Sequence, residues 1–256
     1  MRSKNYIVGT LLFATGIAII VFLGRSLLQD RAHKETLNGN CKIDQDFVTA
    51  VLIDDTDPIT IERDEAEEYI VKLAKETPRY SRFVFYKLSK AFSENGKKPV
   101  SELETCNPFG QNDIADFLKE DKAALERERS NFLNNIKKIT QNLLNVETKD
   151  FSQIMEGIHS VAVAEFFHLK NDAKRHLVIV SDMLQHTEGF NMYKERQEFE
   201  QFKRRPYYRR LKTKALENAR VSVFELVRET KAQNENTVRF WDGYFRDQKA
   251  EPEFVR

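Results

Sequence analysis

From Asn5 to Gly24 the chain reads NYIVGTLLFATGIAIIVFLG, without a single charged side chain. About 20 such residues in a helix span the hydrocarbon core of a bilayer. Gly and Thr inside the run are compatible with that reading. A secretory signal has an apolar region of roughly 7–15 residues and a small-x-small cleavage site. This run is longer, and Arg25-Ser26-Leu27-Leu28 follows it with no such site. The pattern predicts an uncleaved transmembrane anchor over residues 1–24. A polar juxtamembrane linker follows over 25–43, with the turn signal Asn38-Gly39-Asn40 inside it.

Beyond the linker the pattern alternates between strand and helix. Phe47 to Ile53 is a short, β-branched, nearly unbroken apolar run, as expected of a strand buried on both faces. It stops at Asp54-Asp55-Thr56-Asp57-Pro58. Thr60 to Lys75 places Ala66, Ile70, Leu73 and Ala74 on one helical face. Arg82 to Leu88 is a second strand. Val100 to Thr105 reads as a returning hairpin strand after Asn95-Gly96. A long helical stretch covers Asn112 to Leu144. Ser152 opens another helix, with Ile154, Met155, Ile158, Val161, Ala162 and Phe166 on its apolar side. His176 to Val180 is a third strand, ending in Ser181-Asp182. Tyr193–Phe202 and Leu211–Asn218 read as helical, Arg220–Val227 as a strand, and Asn236–Gln248 as a closing amphipathic helix. Strands alternating with helices predict an α/β fold with a mostly parallel sheet flanked by helices. The body occupies residues 44–256, with a helical insertion at about 112–148.

Composition narrows the classes. The chain has 256 residues, with 41 Lys and Arg against 40 Asp and Glu, and a formal charge of +1. That balance excludes a protein that coats nucleic acid through a global basic excess. A hydrophobic content of 41% excludes a disordered chain. Two cysteines exclude a disulfide scaffold and a four-Cys zinc site. The five histidines form no metal-binding spacing, and no Gly-rich phosphate loop or nucleophile elbow is present.

The remaining chemistry lies at the strand ends. In a parallel sheet, ligands bind outside the carboxyl ends of the strands. Asp54, Asp55 and Asp57 follow the first strand and Asp182 follows the central one. Carboxylates and hydroxyls together suit a hard cation such as Mg²⁺. The same residues also serve as caps for the helices that follow. The run Ala50-Val51-Leu52-Ile53-Asp54-Asp55-Thr56-Asp57-Pro58 resembles the opening of a von Willebrand factor A-like domain. In that family an apolar strand leads into Asp-x-Ser-x-Ser, the metal-ion-dependent adhesion site. Asp54 matches the Asp and Thr56 the first hydroxyl, while Pro58 replaces the second hydroxyl and has no donor atom to offer. Ser152 falls where the family has its Thr, and Val180-Ser181-Asp182-Met183 matches the later strand with its terminal Ser/Thr-Asp. The resemblance covers about residues 44–248. It implies a Rossmann-like sheet with one antiparallel edge strand, an Mg²⁺ site formed by Asp54, Thr56, Ser152 and Asp182, and adhesion or assembly rather than turnover. Asp55 and Asp57 stand beside that site as partner contacts.

A competing resemblance uses Asp55-Thr56-Asp57, which is similar to the Asp-x-Asp of haloacid dehalogenase-like phosphatases. It implies an Mg²⁺-dependent enzyme with Asp55 as nucleophile. The later acidic pair of that family is missing, because the strand at 220–227 runs into Arg228-Glu229-Thr230. In the assumed topology Cys41 and Cys106 both fall at the bottom edge of the sheet, where a disulfide closing about 65 residues would contribute roughly 4 kcal/mol. Gln201 to Lys214, QFKRRPYYRRLKTK, is a local basic segment in a neutral chain. Arg204, Arg205, Tyr207 and Tyr208 are its candidate partner contacts, or its tyrosines enter the core of a solvated loop. Charges flanking the anchor are nearly tied, with Arg2 and Lys4 before it and Arg25, Arg31 and Lys34 after it. The short N-terminal tail and the two cysteines favour an inner-membrane protein with its body on the extracytoplasmic side. The expected role is therefore protein–protein interaction within an envelope-associated assembly. Nucleic acid is not an expected partner.

Overall fold

The structure is a computed structural model that describes residues 37–38, 41–42, 47–56, 63–91, 98–109, 122–142, 151–228 and 230–255. The chain divides into two compact units, Met1–Asp44 and Gln45–Arg256. In the first, β1 (Leu37–Asn38) pairs antiparallel with β2 (Cys41–Lys42), on either side of the Gly39-Asn40 turn signal. The expected anchor at 5–24 lies outside the described residues. Among those described, no helix is long and apolar enough to cross a membrane. Both cysteines of the chain, Cys41 and Cys106, are disulfide-bonded.

The second unit has an α/β, Rossmann-like fold. Its strands are β3 (Phe47–Ile53), β4 (Arg82–Lys87), β5 (Ser101–Cys106), β6 (Lys174–Ser181), β7 (Arg220–Glu225) and β8 (Glu251–Val255). They form a six-stranded sheet in the order β5-β4-β3-β6-β7-β8. All neighbours are parallel except β4 and β5, so β5 is an antiparallel edge. The helices are α1 (Arg63–Glu76), α2 (Leu88–Ala91), α3 (Lys122–Asn142), α4 (Ile154–Phe166), α5 (Phe199–Phe202), α6 (Pro206–Leu211) and α7 (Glu235–Asp247).

Side chains alternate between the faces of a strand, and both faces here are covered. Val48, Ala50, Leu52, Leu177, Ile179, Val221 and Val223 point into one core with α4, α6 and α7. Val51, Ile53, Phe83, Phe85, Val178, Val180 and Phe224 point into the other, with α1 and α3. The helix expected as an insertion is therefore part of this second layer, through the buried Phe132 and Ile136. Two-sided burial is why the central strands read as unbroken apolar runs.

The structure departs from the sequence reading where side chains capture backbone. Tyr193–Glu198 is not helical, and helix begins only at Phe199. Asn191 Oδ1 accepts from the Tyr193 N–H, and Gln197 Nε2 donates to the Met192 and Ala232 carbonyls. The Asn191 bond is local and competes with a helix, while the Ala232 bond ties the segment to backbone 35 residues away. Leu211–Asn218 is likewise broken: α6 stops at Leu211, and a 3₁₀ turn, Lys214–Leu216, is capped by Thr213. Ser152 does not open a helix. It forms an isolated antiparallel bridge with His186, and α4 starts at Ile154. Strand β8 is absent from the pattern. Its Glu-Pro-Glu opening shows no apolar run, and Pro and charge are what an edge strand tolerates.

Candidate functional site at the carboxyl ends of the central strands

Strands β3 and β6 lie side by side, with Ile53 opposite Val180. Their first residues beyond the sheet therefore emerge together, and the Asp54 N–H donates to the Val180 carbonyl at 2.8 Å. Asp54 is buried. Its Oδ1 accepts from the Thr56 backbone N–H at 3.0 Å and from Thr56 Oγ1 at 2.6 Å. Its Oδ2 accepts from Ser181 Oγ at 2.7 Å and from Ser152 Oγ at 3.5 Å. Three hydroxyls from three segments thus converge on one carboxylate. None of these donors carries a positive charge. Burial holds the Asp54 carboxyl above the usual carboxylate range; the Thr56 and Ser181 hydrogen bonds oppose that, and the nearby Asp55 charge adds to it.

The structure separates the other expected residues from this cluster. Asp55 Oδ1 accepts from the Ser89 N–H at 2.8 Å, and Oδ2 accepts from the Ser89 hydroxyl, at the start of α2. Asp182 Oδ1 accepts from the Leu184 N–H at 2.9 Å, and Oδ2 lies 3.4 Å from Arg228 Nε. Asp57 lies outside the described residues. Arg204 is exposed in the turn before α6. Arg205 pairs with Glu195 at 2.6 Å and lies over the Phe190 and Phe202 rings. Tyr208 is buried and donates to Asp247 Oδ2 at 2.7 Å. Tyr207 is half-buried, and its hydroxyl donates to Glu156 Oε1. Both tyrosines therefore sit against the body of the domain.

Further residues shape the site. Ser181 was visible as the hydroxyl before Asp182, but its role depends on β3 and β6 being neighbours. Gln185 is fully buried; its Oε1 accepts from the Met155 N–H, and its Nε2 donates to Glu156 Oε2 at 2.9 Å and Tyr207 OH at 2.9 Å. This network ties the start of α4, the loop after β6 and α6 into one support. Burial first, and the Glu156 charge second, push the Tyr207 phenol well above its ordinary value. Met183 adopts φ 60°, the left-handed region that costs a non-glycine residue about 1–3 kcal/mol. Its N–H donates to Ser181 Oγ at 2.8 Å, and its carbonyl accepts from Trp241 Nε1 at 2.7 Å. The closing helix thereby clamps the turn that presents Ser181.

Among the described residues no group of three or more His, Cys, Asp or Glu side chains is placed to hold a metal ion. Any cation here would rely on hydroxyl oxygens beside the Asp54 carboxylate. No protein-family model matches the sequence, and no curated protein matches it.

Proposed function

We propose that the chain is a membrane-anchored protein-interaction module of an envelope-associated assembly, of von Willebrand factor A-like type, and that it captures a partner at the Asp54 cluster. The observation that carries this reading is the convergence of Thr56, Ser152 and Ser181 hydroxyls on the buried Asp54 carboxylate. The strand order, 3-2-1-4-5-6 when counted from β3, supports it, as does the single antiparallel edge. Such a sheet places its ligand site outside the carboxyl ends of the strands.

The donor set fits a hard cation. All its atoms are oxygen, and the carboxylate has no positive charge among its hydrogen-bond partners. Asp54, Thr56, Ser152 and Ser181 would hold Mg²⁺, whereas Asp182, equally buried, is drawn to Arg228. A bound divalent ion would supply positive charge for a carboxylate of the partner. The residues of the chain do the rest. Ser181 and Thr56 orient the Asp54 carboxylate, and the Trp241 clamp on Met183 holds Ser181 in place. The phosphatase alternative gains no such support, because both Asp55 oxygens are engaged by Ser89. The disulfide supports an extracytoplasmic body, since such bonds persist in oxidising compartments.

Calorimetric titration of the full chain with Mg²⁺ and Mn²⁺ tests the site. Heat is expected from the wild type and none from Asp54→Ala; no heat from either removes the metal from this reading. Proximity labelling in membranes tests the role. A set of proteins labelled by the wild type should be lost with Asp54→Ala, and identical sets would overturn capture at this cluster. A cytoplasm-only reporter fused after Arg256 should be silent; strong activity would reverse the orientation.

A further inference from the structure

The large apolar side chains exposed among the described residues are unevenly placed. Val100, Phe151, Tyr193 and Val227 all lie at the carboxyl-end side of the sheet, and Phe167 lies at the other. Single exposed apolar residues are ordinary, but a cluster marks an interaction surface. Two of these residues are joined. Phe151 is 55% exposed and Tyr193 48% exposed, with the His186 ring between them. Ring centres are 6.2 Å apart for Phe151 and His186, and 5.5 Å for His186 and Tyr193. The Ser152–His186 bridge, with N–H to carbonyl bonds of 3.0 and 2.9 Å, fastens this platform directly beside the Asp54 cluster.

Tyr193 also lines a cleft of about 460 Å³, together with Met192, Arg196, Gln197, Lys231 and Asn234. Its frame is held by Gln197, which donates to the Met192 and Ala232 carbonyls and accepts from Thr237 Oγ1. The acids of this cleft are already matched within the chain. Glu195 pairs with Arg205 at 2.6 Å, and Glu198 lies 3.7 Å from Arg196 and accepts from Gln201. Among the described residues, the exposed ammonium groups of Lys194 and Lys231 have no ion-pair partner. The surface therefore offers aromatic rings on the platform, with positive charge on Lys194 directly after Tyr193 and on Lys231 in the cleft.

We propose that the Phe151–His186–Tyr193 platform and the adjoining cleft seat an acidic segment of a partner protein that carries an aromatic side chain. This inference deepens the partner-capture reading and rests on it for the identity of the face. The aromatic residue stacks on the platform, and neighbouring carboxylates meet Lys194 and Lys231. Aromatic anchors of this kind carry a large share of interface energy.

The test is fluorescence anisotropy with the full chain in detergent and chelator. The probes are labelled peptides of Glu-Trp-Glu repeats, a version with Lys for Glu, and a version with Ala for Trp. The acidic aromatic peptide should bind about tenfold more tightly than either control. Tyr193→Ala and Lys231→Glu should each weaken it about tenfold, with unchanged melting temperature. No binding, equal binding of the Lys version, or indifference to both substitutions would overturn the proposal. So would binding to anionic phospholipid vesicles that the same substitutions abolish, which would make this a lipid surface. Mg²⁺ titration of Tyr193→Ala separates the two readings. Wild-type heat without peptide binding sinks this proposal alone, whereas peptide binding without heat in any protein sinks the metal site alone.

Discussion

His176 lies near the amino end of β6, at the opposite end of the sheet from the candidate site, and its titration can be read as stability. It is buried, stands opposite Thr49 in register, and its Nε2 is 2.8 Å from Ser222 Oγ. Burial pushes the imidazole down from 6.5 to about 4; the Arg220 guanidinium adds to that, and Glu253 opposes it. The folded chain therefore keeps His176 neutral until the pH approaches 4, while the unfolded chain protonates it near 6.5. Between those values the unfolded state binds more protons, so stability falls as pH falls. At about 1.4 kcal/mol per pH unit the gap amounts to about 3 kcal/mol. That stability is fully present above about pH 6.5 and lost below about pH 4. Urea unfolding of the wild type and His176→Gln over this range isolates the effect. Gln retains hydrogen-bonding atoms towards Ser222 but does not titrate, and the carboxylates common to both proteins cancel. The wild type should lose about 3 kcal/mol relative to the variant. Parallel stability curves would refute the reasoning, because they would mean that His176 titrates equally in both states.

Other perturbations probe the site and its supports. Burial raises the Asp54 carboxyl, so its ionised form costs the folded state stability once the pH passes its folded value. Asp54→Asn should therefore raise the urea midpoint at neutral pH while abolishing any Mg²⁺ heat; a lower midpoint contradicts the sign. A Cβ on Gly189 would lie 2.3 Å from Tyr207 Cε2, so Gly189→Ala must displace the ring that closes the Glu156–Gln185 network. A loss of about 1–3 kcal/mol is expected, largely absent in a Tyr207→Ala background. Trp241→Phe removes the donor to the buried Met183 carbonyl and should cost about 1–3 kcal/mol in thermal or urea unfolding. An effect near zero would show that the clamp is idle. Cys106→Ser and reduction of the wild type should lower stability to the same level, by about 4 kcal/mol. Unequal effects would place the disulfide's contribution elsewhere.

Much of this protein is legible in one dimension. Burial on both faces forces β3, β4 and β6 to be nearly continuous in apolar residues, and β7 alternates well enough to read as a strand, so their positions survive in the sequence. The same burial dictates period-two partition into two cores, and the order of strands and helices makes an α/β sheet the economical arrangement. Asp54, Thr56, Ser152 and Asp182 stand out as polar residues at strand ends or helix approaches, and the two cysteines as a pair. What pattern cannot carry is which strand ends become neighbours. Only the pairing of β3 with β6 brings Ser181 to Asp54, and only the course of the following loop turns Asp182 towards Arg228. The loop at 193–198 reads as helix because its composition is helical. Its conformation is instead decided by Asn191 and Gln197, which bond backbone that is distant in sequence or would otherwise be helical. Strand β8 leaves no mark in the pattern because an edge has one free side and needs no apolar run. The sequence by itself determined the doubly buried strands, the long amphipathic helices and the inventory of chemistry, since burial and periodicity act along the chain. The tertiary structure alone decided which oxygens share a charge and which aromatic rings face solvent together, since hydrogen bonding and stacking act across it.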